Sequence, residues 1–174
     1  MRLLRNQAVL VAAVCIAPFV LGWLAYRFHW GTGAAGNYGE LVEPRPLSGP
    51  PLEALKGKWV LVTFDPAACG ARCEKKLYIV RQIRRAQGKD MERIERLWLV
   101  TDGGQPRAEL RAALEDAHVA GAPPGLARSF PGDAAGDIYL VDPLGNLMMR
   151  YPADPEPARM IKDLQRLLRY SRVG

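Results

Sequence analysis

Two cysteines, Cys69 and Cys73, are the residues of this chain whose type and spacing are best suited to chemistry. A separation of four residues lets both sulfur atoms lie on one side of a single helical turn, where they can close a disulfide or bind one soft metal ion such as Cu(I). Arg72, Lys75 and Lys76 place positive charge beside the pair. A structural disulfide, or two inert buried thiols, is the alternative interpretation.

The elements around the cysteines place them where a strand passes into a helix. The six residues from Trp59 to Phe64 are mostly β-branched or aromatic and predict a buried strand. Asp65 to Ala68 interrupts this strand, and a helical pattern begins at Glu74. Because the first amide groups of a helix are unpaired and its dipole is positive there, a thiolate at this junction is stabilised and its pKa falls.

The helix that follows the cysteines is predicted to be amphipathic. Leu77, Val80 and Ile83 repeat at helical spacing and are expected to face a sheet. The same periodicity predicts that three arginines point outward, and Gly88 is the expected end of the helix. These arginines are Arg81, Arg84 and Arg85.

The remaining sequence completes the order β, α, β, α, β, β, α. A strand is predicted at 94–101 and a helix from Arg107 to His118, followed by a long loop at 119–136 with one turn of helix at 126–130. Strands at 137–142 and 147–151 are predicted to pair antiparallel through an Asp-Pro-Leu-Gly turn. The closing helix is predicted to have Asp154 as its N-cap, and its apolar face consists of Ile161, Leu164, Leu167 and Leu168.

The N-terminal segment is predicted to anchor the chain in a membrane. Ala8–Phe28 is apolar except for Arg27 and is long enough to cross a bilayer of about 30 Å. Arg2 and Arg5 precede it, so the positive-inside rule places the N-terminus in the cytoplasm and the remainder on the other side. A cleaved signal peptide is the alternative, because residues 31–34 are small, but the apolar run exceeds the usual signal core of about 7–15 residues.

These observations define an expected domain organisation. Residues 1–30 form a cytoplasmic tip and transmembrane anchor, residues 31–51 a linker rich in glycine and proline, and residues 52–174 a folded domain. Trp23, Tyr26 and Trp30 fit an aromatic belt at the outer membrane interface. The expected location is a bacterial-type inner membrane, crossed once, with the domain in the periplasm, where disulfides persist.

Charge and motifs exclude several classes of function. The net charge is +6, but the first 30 residues hold three arginines and no acid, which leaves 21 basic and 18 acidic residues in the rest of the chain. No basic stripe interleaved with aromatic residues is present, so we do not expect a nucleic-acid partner. The sequence also contains no Ser/His/Asp triad, phosphate-binding glycine loop, zinc cluster or carboxylate pair.

Four sequence segments resemble the Sco/SenC family of membrane-anchored cytochrome c oxidase assembly proteins. They are Gly57–Phe64, the Cys-x-x-x-Cys pair, Leu99–Asp102 with Pro106, and Tyr139–Gly145. The resemblance spans about residues 50 to 170 and the anchor. It implies a thioredoxin-like α/β domain with a central mixed sheet flanked by helices. It also implies that Cys69 and Cys73 hold Cu(I) and deliver it to a cytochrome c oxidase subunit.

The sequence departs from the family pattern at the proposed copper site. The family has a third copper ligand, a histidine five residues before the hairpin tyrosine, and that position is Ala134 here, preceded by Asp133. The proline that usually follows each motif cysteine is replaced by Gly70 and by Glu74. The ligand set implied by the resemblance is therefore incomplete.

Four other residues have side chains able to complete a Cu(I) site. His118 is expected to be a surface or capping histidine, and His29 lies at the membrane boundary. Met148 and Met149 are soft ligands, but adjacent strand residues point to opposite faces, and core packing is expected for at least one of them. Two thiolates alone can also hold Cu(I), with a partner protein completing the ligand shell.

Three functional hypotheses follow. The first is a copper-binding assembly factor that transfers Cu(I) from Cys69 and Cys73 to an oxidase subunit. The second is a thiol-disulfide oxidoreductase that keeps the cysteines of a copper site or of another assembly factor reduced, with Cys69 attacking and Cys73 resolving the mixed disulfide. The third is a non-catalytic protein with a structural disulfide whose loop at 119–136 docks on a membrane partner.

Overall fold

The structure of the chain is a computed structural model that describes residues 2–28 and 36–173. The chain divides into two compact units, and the second begins at Asn37. The first contains helix α1 (Arg2–Arg27), in which the 18 residues from Leu10 to Arg27 have a mean hydropathy of 1.8 and none is buried. By length and composition this helix is a candidate membrane span. His29, Trp30 and the small residues at 31–34 lie outside the described residues.

The second unit is built on one mixed sheet of six strands. The strands are β1 (Glu40–Pro46), β2 (Trp59–Asp65), β3 (Ile94–Val100), β4 (His118–Gly121), β5 (Asp137–Val141) and β6 (Asn146–Pro152). Their order in the sheet is β1-β6-β5-β2-β3-β4. Strands β2, β3 and β4 are parallel to one another, whereas β5, β6 and β1 each pair antiparallel with their neighbours. The predicted thioredoxin-like architecture of a mixed sheet flanked by helices is confirmed.

The helices of this unit connect and cover the strands. They are α2 (Pro50–Glu53), α3 (Ala71–Arg85), α4 (Ala108–Ala113) and α5 (Pro157–Tyr170). Short 3-10 helices occur at Gly88–Arg93 and Leu126–Ser129, the second where a single turn of helix was expected. Helix α5 begins two residues later than predicted, because Glu156 is its N-cap residue and Pro157 occupies the first helical position.

The core lies on both faces of the sheet because every residue of β2 is buried. Alternate residues of this strand point to opposite faces, so Val60, Val62 and Phe64 belong to one cluster and Trp59 and Leu61 to another. Helices α3 and α5 cover the second cluster. On the first face, three aromatic rings meet edge to face with centroids 4.8 to 6.3 Å apart, and they belong to Phe64, Phe130 and Tyr139.

The structure corrects the predicted linker at 31–51, because residues 40–46 form strand β1 and pair with β6 at the edge of the sheet. Six of the seven β1 side chains are exposed, so the strand lacks the alternation of apolar and polar residues by which strands are predicted. Pro44 and Pro46 lack amide donors and are tolerated because β1 is an edge strand. The sheet therefore begins within the segment that was predicted to be a linker.

Two further predictions are corrected at the opposite edge of the sheet. Helix α4 ends at Ala113, and His118 begins strand β4, so the predicted helix to His118 and the loop from Val119 are both wrong there. Strand β4 has only four residues, which are half-buried or exposed. Its sequence carries no clear strand pattern, and the strand is ordered by its pairing with β3. The remainder of the segment up to Gly136 contains no further strand.

The predicted orientation of α3 is confirmed for its apolar residues, since Leu77, Val80 and Ile83 are buried. It is wrong for Arg84, which is buried and donates from Nε to the Ile94 carbonyl over 2.5 Å. Arg84 lies seven residues after Leu77, two helical turns along the same face, so helical geometry directs it toward the sheet. Its aliphatic stem is buried while its guanidinium group pairs with polar groups.

Candidate redox and metal site

The cysteine pair lies at the predicted junction between a strand and a helix. Strand β2 ends at Asp65, a short loop follows, and Gly70 is the N-cap residue of α3. Cys69 and Cys73 are joined by a disulfide, with their Cα atoms 5.2 Å apart. This separation lies within the ordinary range for disulfides, so a spacing of three intervening residues closes without displacing the helix.

The disulfide is enclosed by the protein rather than displayed on its surface. Cys69 is 0% exposed and Cys73 is 5% exposed. They pack in a cluster of buried apolar residues whose other main members are Ala67, Leu77, Trp98, Val100 and Leu114. Because Cys69 has no accessible surface, reaction with a macromolecule at that sulfur requires the loop before α3 to move.

The loop before Cys69 is held by the end of strand β3. The carboxylate of Asp102 accepts hydrogen bonds from the Ala67 amide at 3.0 Å and from the Gly104 amide at 3.1 Å. These two hydrogen bonds lower the pKa of Asp102 below its usual value of 3.8, and the bond from the Ala67 amide has the larger effect. The Trp98 indole also donates to the Asp65 carbonyl over 3.2 Å. The backbone on the N-terminal side of the pair is thereby fixed at two points, Asp65 and Ala67.

A second set of polar contacts joins α4 to the first turn of α3. The Arg107 guanidinium group forms an ion pair with Glu74, and it lies 3.5 Å from the carbonyl oxygen of Cys69. Lys75 pairs with Asp154 at 2.6 Å on the exposed surface. Lys75, one of the basic residues expected beside the thiolates, is therefore engaged with a carboxylate in this oxidised state.

The sequence analysis did not predict the burial of Lys76, whose side chain is only 2% exposed. Its Nζ lies 2.7 Å from Asp65 Oδ2 and donates to the Ala135 carbonyl over 2.6 Å. The helical spacing of Cys73, Lys76 and Val80 could have revealed this burial, because residues separated by three and then four positions share one face. Lys76 thus connects the end of β2 to the loop before β5.

Burial also changes the acid–base behaviour of Asp65. Desolvation is the largest effect and raises the pKa of Asp65 above its usual value of 3.8, although Lys76 and Arg72 oppose the increase. The negative charge of Asp133 also raises the pKa of Asp65, by a smaller amount. A buried lysine–carboxylate pair therefore lies one helical turn from Cys73.

The position of the family histidine holds no metal ligand. Ala134 packs against the core cluster that contains Phe64, and the adjacent Ala135 carbonyl accepts a hydrogen bond from Lys76. Among the residues that the structure describes, no group of three or more His, Cys, Asp or Glu side chains is arranged to hold a metal ion. The cysteine sulfurs are thus the soft donors of this site within residues 36–173.

The other candidate ligands lie elsewhere. His118 is exposed on strand β4, and its Nε2 is 3.3 Å from Glu95 Oε2. Met149 is buried among the residues beneath α3 and α5, and Met148 packs against the same cluster. Neither methionine belongs to the apolar cluster that encloses the disulfide. The structure therefore does not bring any of these three side chains to the cysteine pair.

A groove of about 390 Å³ lies beside the disulfide, between α3 and α4. Leu77 and Leu114 line it and also pack in the cysteine cluster. Tyr78 and Arg81 line its outer part, where the Arg81 guanidinium group lies 5.4 Å from the centroid of the Tyr78 ring. The groove therefore provides apolar and aromatic surface that adjoins the cysteine cluster through Leu77 and Leu114, although neither cysteine lines it.

A mixed sheet with a disulfide at the N-terminus of the helix after its central strand defines a thioredoxin-like domain. The chain belongs to the family described as "Transmembrane-like, thioredoxin-like, C-terminal domain", whose model matches residues 59–171. The comparison with curated proteins found no significant match.

Solved structures of Sco proteins have a similar fold. Apo Sco1 from Thermus thermophilus is 21% identical, with a TM-score of 0.59 over 75% of this chain and 96% of that chain. Yeast Sco1 with copper bound is 16% identical, with a TM-score of 0.56 over 69% and 84%. BsSco, described as a Sco-family cytochrome c oxidase assembly protein with a disulfide switch, is 14% identical, with a TM-score of 0.50 over 78% and 97%. The fold implied by the Sco/SenC resemblance is confirmed.

Proposed function

We propose that the chain is a membrane-anchored thiol-disulfide oxidoreductase that serves the assembly of cytochrome c oxidase. The observation that carries this proposal is the Cys69–Cys73 disulfide at the start of α3, without a third metal ligand beside it among the described residues. A pair of cysteines that closes a disulfide in this position can exchange it with the cysteines of a partner. The proposed target is the cysteine pair of an oxidase copper site or of another assembly factor.

The exchange proceeds in two steps. One cysteine thiolate of the reduced pair attacks a sulfur of the target disulfide, forms a mixed disulfide and releases one target thiolate. The second cysteine of the pair then attacks the sulfur of the first cysteine in the mixed disulfide. This step closes the Cys69–Cys73 bond and releases the second target thiolate. Two electrons pass to the target, and an external thiol reductant must restore the pair. The groove between α3 and α4 offers apolar surface for the target segment that approaches the sulfurs.

Binding and delivery of Cu(I) is the second candidate function. It is favoured by the two adjacent sulfurs and by the similarity in fold to Sco1 solved with copper bound. Reduced Cys69 and Cys73 would hold the ion as two thiolates, and the recipient oxidase subunit would supply further ligands during transfer. Ala134 in place of the family histidine leaves such a site with fewer ligands, which favours release over storage.

The deciding experiment measures copper affinity and redox potential in the same soluble fragment, residues 31–174. Cu(I) is titrated into the reduced fragment against a competing chelator, and the disulfide is equilibrated with thiol buffers. The control is the Cys69→Ser, Cys73→Ser variant. Exchange at a potential above about −300 mV without Cu(I) binding supports the oxidoreductase. One tightly bound Cu(I) that the double variant loses supports copper delivery.

The remaining outcome is a structural disulfide. A potential below about −300 mV together with no Cu(I) binding would contradict both proposals. The double serine variant would then still support oxidase assembly in cells, provided that its domain folds. In the oxidoreductase, one single serine variant accumulates a mixed disulfide with its target, and this identifies which of Cys69 and Cys73 attacks first.

We also propose the topology of the chain. The anchor within residues 1–30 crosses a bacterial inner membrane once, with the N-terminus in the cytoplasm and the domain in the periplasm. The proposal is supported by Arg2 and Arg5 before the apolar segment and by the absence of acidic residues before Glu40. Reporter fusions after Gly174 test it, since alkaline phosphatase is active only when exported. An inactive phosphatase fusion would contradict the proposed orientation.

A further inference from the structure

The exposed side of α5 carries a continuous stripe of positive charge. Arg159, Lys162, Arg166 and Arg169 are all exposed and follow one another at intervals of three, four and three residues. These intervals place them along one face of the helix. Arg172, also exposed, follows just after the helix ends. These five residues are called the basic face below.

The helix itself supplies few acidic side chains to offset this stripe. The only acid between residues 157 and 173 of the sequence is Asp163, which is buried. Glu156, at the start of the helix, lies 3.8 Å from Arg159 and offsets charge at that end. Tyr170 and Val173 are 78% and 56% exposed beside the C-terminal part of the face.

A polar cleft extends the basic face toward the end of α3. The cleft has a volume of about 560 Å³, and Lys89 and Arg169 both line it. Asp90 also lines the cleft, but it lies 3.3 Å from the Arg93 guanidinium group and pairs with it. The cationic surface therefore continues from α5 onto the 3-10 helix at Gly88–Arg93.

The first residues of the domain are bound directly to α5. The Tyr38 and Gly39 amides both donate to Asp163 Oδ2 over 2.8 Å. The Tyr38 hydroxyl accepts a hydrogen bond from the Glu156 amide at 2.9 Å, and the Arg159 guanidinium group lies 4.5 Å from the centroid of the Tyr38 ring. Helix α5 is therefore the element against which the chain enters the domain.

This attachment limits the distance between α5 and the membrane. Nine residues separate Phe28 from Tyr38, and such a segment spans at most about 35 Å when fully extended. If α1 crosses a membrane, this limit applies to the Arg159 end of the basic face, which contacts Tyr38, and Arg169 lies about 15 Å further along the helix. A tethered cationic surface at this distance experiences the surface potential of anionic lipids once it approaches within a Debye length.

We propose that the basic face binds the headgroups of anionic phospholipids and docks the domain on the membrane that anchors it. The face lies on the surface, because the apolar side of α5 is already buried in the core through Met160, Leu164 and Leu168. Arginine and lysine contact the lipid phosphates, and Tyr170 lies at the headgroup level. The inference requires that α1 is a membrane anchor and is independent of the chemistry of the cysteines.

The test is lysine acetylation of the full chain in nanodiscs, followed by mass spectrometry. One nanodisc contains phosphatidylcholine alone, and the other contains equal parts of phosphatidylcholine and phosphatidylglycerol. Lys162 and Lys89 report on the basic face, and exposed Lys56 is the internal reference. We expect acetylation of Lys162 and Lys89 to slow by about fivefold or more in the anionic nanodisc. Salt at about 0.5 M should restore the rate, and Lys56 should not change.

Charge reversal identifies the surface responsible. The Arg169→Glu, Arg172→Glu variant is expected to lose the protection of Lys162. The matched control is Arg111→Glu, Arg128→Glu, which changes the net charge equally at exposed positions outside the basic face and should retain the protection. Circular dichroism confirms that both variants are folded.

Three results would overturn the proposal. The first is equal acetylation of Lys162 in the two nanodiscs. The second is protection that survives in the Arg169→Glu, Arg172→Glu variant, because another surface would then be docking. The third is protection that requires an added oxidase complex rather than anionic lipid, which would assign the basic face to a protein partner.

Discussion

At the scale of single residues, Lys76 is the side chain on which the cysteine site most depends structurally. It occupies the buried face of α3 one turn after Cys73 and binds Asp65 at the end of β2. It also binds the Ala135 carbonyl in the loop where the Sco/SenC resemblance expects a histidine. An unpaired charge at either end of this contact would be costly because the surroundings exclude water.

The first prediction concerns the Lys76→Met variant. The change leaves the Asp65 carboxylate buried without its partner, so we expect a loss of about 3 kcal/mol in the free energy of unfolding at neutral pH. Urea denaturation of the fragment 31–174 measures this loss. Lys75→Met is the matched control, since Lys75 and Asp154 are 60% and 66% exposed, and such surface pairs contribute at most about 1 kcal/mol.

The loss of stability in the Lys76→Met variant should depend on pH. Burial raises the pKa of Asp65 above its unfolded value of 3.8, so the folded state is favoured while Asp65 is protonated. This advantage disappears as the pH rises from 3.8 through the raised pKa. Lys76 opposes the increase in pKa, so the Lys76→Met variant should be more destabilised at pH 7 than at pH 4. An equal loss at both values would indicate a packing defect instead.

The second prediction concerns Asp102 and the loop before Cys69. Asp102→Ala removes the acceptor of the Ala67 amide, so hydrogen exchange at that amide should accelerate on the order of tenfold. The pKa of Asp102 is lowered, so protection in the unmodified chain should persist as pH falls below 3.8 and disappear only through the lowered pKa. Asp102→Asn, which retains one acceptor oxygen, is the control. Unchanged exchange at Ala67 would exclude this role.

At the scale of elements, helix α5 has two roles, and its amphipathic pattern alone does not distinguish them. Its apolar side completes the core beneath the sheet, and its buried Asp163 accepts both amides that begin the folded domain. Helix α5 consequently fixes the entry of the chain as well as covering the sheet. Asp163 contacts residues 124 and 125 positions earlier in the sequence, so this connection joins the two ends of the folded domain.

The third prediction tests this connection with Asp163→Ala. Two amides lose a charged acceptor, one of them in a buried setting, so we expect the free energy of unfolding to fall by about 3 kcal/mol. Asp154→Ala is the comparison, because it removes an exposed aspartate whose pair with Lys75 contributes at most about 1 kcal/mol. Chemical denaturation of both variants of the fragment 31–174 provides the measurement. Similar losses in the two variants would contradict the assigned role.

At the scale of the whole molecule, most of the hydrophobic core of the folded unit lies outside the cluster that contains the disulfide. Apolar clusters lie on both faces of a six-stranded sheet, and the cysteines belong to a third, smaller cluster at one end of β2. The disulfide closes a loop over a sequence separation of only four residues. Such a short loop restricts the unfolded chain less than a long one does.

The fourth prediction is that reduction leaves the domain folded. In the chain-entropy description, a loop of this length contributes about 2 kcal/mol to the free energy of unfolding. Guanidinium denaturation with and without a reductant should show this difference, with near-ultraviolet circular dichroism retained in the reduced state. Collapse on reduction would instead support the structural hypothesis. An oxidoreductase needs both redox states folded, so this measurement also bears on the proposed function.

The sequence by itself determined the elements whose signals are local. The four central strands, the helix after the cysteines and the apolar N-terminal helix were predicted because their residues carry the periodicity or hydrophobicity that burial requires within one short segment. The position of Cys69 and Cys73 between β2 and α3 follows from the same local signals. The amino acids at 133 and 134 also showed directly that the family histidine is absent.

Only the tertiary structure decided the features that depend on distant partners. The residues of strands β1 and β4 are exposed or half-buried, and these strands are ordered by pairing with β6 and β3. Lys76 is buried because the sheet end and the loop before β5 supply Asp65 and a carbonyl group as partners. The separation of His118 and the methionines from the cysteines likewise depends on topology. Local preferences are encoded in neighbouring residues, whereas these contacts exist only after the chain has brought remote segments together.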